Sequence, residues 1–198
     1  MKKVCGLLIL LLFVQSSICF ASLTDVVVDN SDKPKVGVII QIRGDDYMDP
    51  EVRDEYMKDL DAKFKSAKYV YVPHRQLRLA LMDFKSRYGG LMSRQRLIEF
   101  AKEQNLDYIV SIELGKTTNF KVTPALFGGV NCEMTATMDV LALDVADNKT
   151  LYIDTLYADG SGGSWVRALR DAVPKLMGKF NESFHVDFKP IGKDDNAL

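Results

Sequence analysis

Residues Val36 to Ile42 (VGVIIQI) and Leu106 to Leu114 (LDYIVSIEL) are nearly unbroken apolar runs. A strand with one wet face alternates apolar and polar residues. A strand that does not alternate needs cover on both faces, which means helices packed on either side of a sheet. The chain has 198 residues, 47% hydrophobic and 27% charged, enough to build such a core in one domain.

The segments between and after these runs supply the cover. Asp49-Pro50-Glu51 reads as a helix start, with Asp as N-cap, Pro in the first turn and Glu near the positive end of the dipole. Val52, Tyr56, Leu60 and Phe64 follow at helical spacing, with Asp54–Lys58, Asp59–Lys63 and Asp61–Lys65 as i,i+4 pairs. Tyr69 to Val72 is a short strand closed by Pro73. A helix with Leu77, Leu81 and Phe84 on one face then runs to Gly89-Gly90. Ser93 caps a third helix carrying Leu97, Phe100 and Ala101. Glu133–Asp144 and Lys149–Ala158 both alternate, and Asp147-Asn148 between them predicts an antiparallel hairpin. A last helix covers about 164–184, with Trp165, Leu169, Val173, Leu176, Phe180 and Phe184 as its stripe and Pro174 expected to kink it or remove one backbone bond. The expected fold is α/β (α+β): one mixed sheet flanked by helices, in the order β-α-β-α-α-β-β-β-α.

The N-terminus is of a different kind. Lys2 and Lys3 precede the apolar run Leu7–Val14, which is too short for a helix to span a bilayer core of roughly 30 Å, and Cys19-Phe20-Ala21 places small residues for a cut after Ala21. Residues 1–21 read as a bacterial-type signal peptide, 22–34 as a linker, 35–185 as the domain and 186–198 as a loose tail. Bulky Ile18 before Cys19 argues against a lipid anchor. The export reading places the protein in the periplasm or outside the cell, with no membrane span after cleavage. Loss of Lys2 and Lys3 leaves 24 basic residues against 27 acidic, a net charge of −3. Export and this balance together disfavour nucleic acid as a partner. Only Cys132 survives cleavage, in a β-branched, apolar stretch that suits a buried, unreactive thiol. With two His in the chain, no metal centre and no cofactor are expected.

The succession VGVIIQI, amphipathic helix, YVYVPHRQLRLAL, LIEFAKEQNLDYIVSIELGK, MDVLALDVADNKTLYIDT resembles a bacterial envelope module. It is the α/β module of the curli-secretion lipoprotein CsgG, the N-terminal domain of TolB and the penicillin-binding-protein activator LpoB. The matching steps are Ala101-Lys102 to Asp107-Tyr108-Ile109-Val110 and the hairpin from Asp144 to Leu151, within about residues 35–184. The short connection 116–131 has no room for the long membrane-inserting hairpins of the curli-secretion proteins, and nothing follows that could form the propeller of TolB. The resemblance implies a free-standing exported module that touches envelope proteins or wall components and performs no chemistry. A small binding protein for a wall fragment or other ligand is the second reading, and a hydrolase the third.

Several clusters invite a chemical reading. Asp45, Asp46 and Asp49 follow the first strand, where ligands dock on open sheets and where carboxylates suit Ca²⁺, but their spacing is no EF-hand and a solvated loop explains them. Asp159-Gly160-Ser161-Gly162-Gly163-Ser164 has glycines before a helix, as phosphate cradles do. It lacks the Lys-Ser/Thr ending, so it reads as a flexible connector and cap. Asp139 and Asp154 read as the wet face of the hairpin sheet, and no Asp or Glu stands in a context that singles it out for catalysis. Charge is segregated: eight acidic residues against two basic lie between Asp45 and Asp61, and six basic against one acidic between Arg75 and Arg96. The two stretches either pair as solvated helix faces, or Arg75, Arg78 and Arg94 meet an anionic wall polymer, lipid headgroup or acidic protein. The segment Thr123–Gly129 is an apolar loop in which Leu126 and Phe127 either plug the core or contact a partner.

The first test is cleavage after Ala21. Intact mass of the exported protein should show a chain beginning at Ser22, without diacylglycerol. A mature form that keeps residues 1–21 overturns the assignment.

Overall fold

A computed structural model describes residues 32–42, 50–89, 93–116, 120–125 and 129–189. In chain order these form β1 (Lys35–Ile42), α1 (Pro50–Phe64), β2 (Val70–Val72), α2 (His74–Tyr88), α3 (Arg94–Glu103), β3 (Tyr108–Lys116), β4 (Lys121–Pro124), β5 (Val130–Asp144), β6 (Lys149–Gly162) and α4 (Trp165–Ser183). This is the mixed α/β sandwich that the sequence implies, with one strand more. The additional strand, β4, lies in a segment that reads as loop from the sequence. Its four residues are all exposed, so no burial pattern marks it.

The sheet grows from β1, which pairs in parallel with β2 and with β3. β3 pairs antiparallel with β5, which binds β4 further along the same edge and β6 on the other. The turn at 145–148 closes the expected hairpin, with Asn148 at φ 51°.

Alternate residues of the strands face opposite layers. One face carries Val36 and Val38, then Val110, Ile112 and Leu114, then Cys132 through Ala142. It packs against Tyr56, Leu60 and Phe64 of α1 and against the stripe of α4. The other carries Ile39, Ile109 and Leu143 beneath Leu77, Leu81 and Phe84 of α2 and Leu97, Ile98, Phe100 and Ala101 of α3. The apolar runs therefore have the two-sided cover they require. On this second face the cover stops partway. Along β3 the residues pass from buried Ile109 through Ser111, hydrogen-bonded by Gln41 Nε2 at 3.3 Å, to half-exposed Glu113.

Helix ends follow the local chemistry. Ser93 Oγ accepts from Arg96 N and Ser164 Oγ from Arg167 N, each at 3.3 Å, so both expected caps are present. Asp49, the proposed cap of α1, lies outside the described residues, as does the side chain of Val52. Asp61, assigned by spacing to Lys65, accepts instead from the Tyr71 hydroxyl at 2.5 Å. Helix α4 runs unbroken through Pro174, which sits on its exposed side. The chain remains packed beyond α4. Phe188 is buried between Tyr69 and Tyr108, ring centroids 5.2 Å from each, and Tyr108 OH donates to Lys189 O at 2.9 Å. A loose tail from residue 186 is thus corrected: residues 186–189 belong to the domain.

The glycines before α4 are corrected as well. β6 extends through Gly162, so Asp159 to Gly162 are strand and not a connector. At Gly160 the α4 backbone lies directly on the strand. A Cβ there would overlap Ala168 O and stand 2.7 Å from Ala172 N. The missing side chain permits close strand–helix packing; it does not cradle phosphate. Further along, α4 closes over the rim of β6, where Lys179 Nζ donates to Tyr157 O at 2.6 Å, Lys175 Nζ to Asp159 O at 3.1 Å, and Ser161 N to Asp171 Oδ2 at 3.0 Å.

Gly160→Ala should therefore destabilise the domain by about 1–3 kcal/mol or more, as overpacking does. Gly178→Ala, on the exposed side of the same helix with nothing near its Cβ, should stabilise by about 0.5–1 kcal/mol. Urea unfolding of the two variants checks both signs.

Candidate functional site

Two exposed apolar surfaces and one cleft are the candidates for a site; Ile153 and Tyr157 of β6 are exposed as well. The first surface is the β4–β5 arm. Val122 pairs with Cys132 and Pro124 with Val130, so Val122, Val130 and Cys132 share a face. Cys132 is buried, as expected from its neighbours, because α4 begins beside it: Cys132 pairs with Gly162, just before the helix. Past that level the helix covers nothing. Val122 (51% exposed), Val130 (48%) and the preceding Phe120 (48%) face solvent. Ala125 N donates to Gly129 O at 3.2 Å, which closes the arm below its tip. Leu126 and Phe127, the residues singled out in the sequence, lie outside the described residues, between these two ends.

The second surface is the outer side of α2. Arg75, Arg78, Leu79 and Met82 stand at i, i+3, i+4 and i+7, opposite buried Leu77, Leu81 and Phe84. Leu79 is 72% and Met82 61% exposed. Sequence reading selected the two arginines but passed over the apolar pair, although its spacing repeats that of the buried stripe. Arg94, grouped with them by charge, is elsewhere occupied. Its guanidinium donates to Asn148 O and, at 3.3 Å, to Thr150 Oγ1, so it ties the start of α3 to the β5–β6 turn. Arg87 and Arg96 are likewise engaged, with Glu103 and Glu99, each at 2.8 Å.

The cleft, about 750 Å³, lies where β4, β5 and β6 meet α4 and is lined by Lys121, Glu133, Thr135, Asp159, Asp171 and Lys175 among others. Four of its side chains are held in pairs. Thr135 Oγ1 donates to Asp159 Oδ1 at 2.6 Å and Lys175 Nζ to Asp171 Oδ2 at 2.8 Å. The bond from Lys175, with that from Ser161 N, holds the Asp171 carboxyl below the usual carboxylate range. A ligand at these four side chains would have to displace these bonds.

The acidic residues of the hairpin strands do not assemble into a site either. Asp139 and Asp154, read together as one wet face, lie on opposite faces, because Asp139 pairs with Thr155 and Asp154 with Val140. Asp139 accepts from Thr155 Oγ1 at 2.6 Å and Asp154 from Tyr152 OH at 3.1 Å. Asp45, Asp46 and Asp49 lie outside the described residues. Among the described residues no three His, Cys, Asp or Glu side chains come close enough to hold a metal ion, and no helix is long and apolar enough to cross a membrane.

One polar contact inside the fold went unrecognised in the sequence. β2 pairs with β1 only at Lys35 to Gly37, which leaves the rim of β1 open beyond. His74, the first residue of α2, accepts there from Ile40 N through Nδ1 at 3.1 Å. That bond requires the neutral ring, with its proton on Nε2.

No family model matches the chain, and no curated protein matches it. Solved structures do. The hypothetical protein CT253 from Chlamydia trachomatis is 15% identical over 75% of this chain and 96% of its own, with a TM-score of 0.42. The lipoprotein GNA1162 from Neisseria meningitidis is 12% identical over 76% of this chain and 99% of its own, TM-score 0.47. The LpoB C-terminal domain from Escherichia coli is 15% identical over 63% of this chain and 81% of its own, TM-score 0.37. At these identities and TM-scores the likenesses assign the chain to no family and give it no activity.

The His74 contact predicts a pH dependence. Burial first, then Arg78 and Lys85, lower its pKa from the ordinary 6.5, against a smaller raising effect of Asp61. Below 6.5 the unfolded chain therefore binds a proton more readily than the folded one. The stability contribution is complete above that value and is lost as the pH falls toward the folded pKa. Urea midpoints measured from about pH 7.5 to about pH 5 should fall more steeply for the natural protein than for His74→Gln, and the ring protons of His74 should titrate below the ordinary value.

Proposed function

We propose that this chain is an exported, non-enzymatic interaction module of the bacterial cell envelope, and that the β4–β5 arm is its contact with a partner protein. The observation that carries the reading is the exposure of Phe120, Val122 and Val130 on an arm that extends past the reach of α4. Burying a side chain of this size gains roughly 1.5–3 kcal/mol. The free domain forgoes that gain at three neighbouring positions, and a partner surface can recover it. The signal-like N-terminus and the resemblance to the CsgG, TolB and LpoB module support export and an accessory role. The internally bonded cleft favours this reading over a small-ligand binder or a hydrolase. Leu126 and Phe127, which follow Ala125 in the sequence and lie outside the described residues, are proposed as part of the same contact.

A photo-crosslinking residue placed at Val122 or Val130 in the natural envelope should give a discrete protein adduct on irradiation, and one placed at exposed Ile153 of β6 should not. Val122→Asp with Val130→Asp should abolish capture of the crosslinked protein while changing stability by no more than about 0.5 kcal/mol, as exposed positions do. Adducts from all three positions alike, or a large loss of stability, overturn the arm as the contact.

A further inference from the structure

We propose that the outer face of α2 docks on an anionic lipid surface. This goes beyond the arm contact and does not rest on it. Arg75, Arg78, Leu79 and Met82 form a continuous strip on the side of the helix turned away from the core, with the two most exposed apolar side chains of α2 beside two arginines. No hydrogen bond or ion pair among the described residues holds either guanidinium. Their placement also opposes the helix dipole: the first turn of α2 carries no acidic residue, so its positive end gains further positive charge. An anionic surface relieves both.

The shape of the strip decides between a lipid surface and an acidic protein. Leu79 and Met82 project from a convex helix. A standard protein interface needs roughly 20–30 residues a side with close shape complementarity. A strip of four side chains on one convex helix falls far short of that and offers no backbone edge, whereas the arm adds the outer edge of β4, the last strand in its sheet order. A bilayer makes no such demand. Protruding apolar side chains enter the headgroup boundary, while arginines reach outward to the phosphates and keep their stems against apolar surface. Leu and Met are unbranched at Cβ and flexible enough to insert. The contact is expected to be weak and reversible, and to orient the domain against the membrane.

The test is co-sedimentation of the full exported chain with vesicles of phosphatidylcholine, with and without phosphatidylglycerol. Binding is expected only to the anionic vesicles. It should weaken about tenfold in the double variant Arg75→Gln, Arg78→Gln, and several-fold in Leu79→Ser, Met82→Ser. About 0.5 M salt should suppress it. Urea midpoints of both double variants should stay near that of the natural chain. If either falls, the single variants Arg78→Gln and Met82→Ser repeat the comparison. Absence of binding overturns the proposal, as does binding that neither pair reduces, which would place the contact elsewhere, for instance on the β4–β5 arm. Equal binding to polyglutamate that falls with the arginines but is indifferent to Leu79 and Met82 also overturns it, in favour of an acidic polymer or protein.

Discussion

Strand β5 must hydrogen-bond along 15 residues, and no single neighbour spans its inner edge. The edge is shared. Ala136 to Asp144 pair with β3, Val130 to Glu133 with β4, and β6 runs the length of the opposite side. Because β3 is the parallel partner of β1, β5 joins the parallel half of the sheet to the antiparallel half. It also contributes buried side chains from Cys132 to Ala142 to the larger core. A one-residue slip here would turn all of these outward, which is why the register is strongly determined.

The helices are shorter than the sheet they cover, and the candidate surfaces lie where cover ends. α4 begins at the level of Cys132, so the arm beyond is bare. α2 and α3 cover only part of the second face, and the strands turn polar where that cover stops, at Ser111 and Glu113 of β3 and Asp139 and Thr155 opposite. The arm and the outer side of α2 depart from this rule, as do Ile153 and Tyr157 of β6, for they keep apolar residues where no element packs. That departure gives the two surfaces their functional interest.

Much of this was legible in the sequence. VGVIIQI and LDYIVSIEL demanded two-sided cover, and the stripes of Leu77, Leu81 and Phe84 and of Leu169, Val173 and Leu176 supplied it. What escaped has physical causes. β4 has no buried residue, and Thr-Pro beside Gly-Gly reads as loop. The glycines before α4 resemble a phosphate cradle because close backbone approach and ligand approach ask for the same residue. Charge alone grouped Arg94 with Arg75 and Arg78, whereas the fold spends Arg94 on the β5–β6 turn. His74 depends on β2 being too short to pair with the rest of β1, a length that propensity does not reveal.

The lysines of α4 that reach the rim of β6 have a consequence for assembly. An edge strand of 14 residues with free carbonyls and amides is a template on which a second chain can add a strand. Here Lys179 and Lys175 occupy the carbonyls of Tyr157 and Asp159, Asp171 occupies the amide of Ser161, and Asp154 Oδ1 accepts from Thr155 N at 2.8 Å. An incoming strand would have to break these bonds and strand the charges beside its own backbone. From Thr155 to Ser161 four of the rim's backbone groups are thus held from within the chain, so this stretch of β6 resists the addition of a strand from a neighbouring copy.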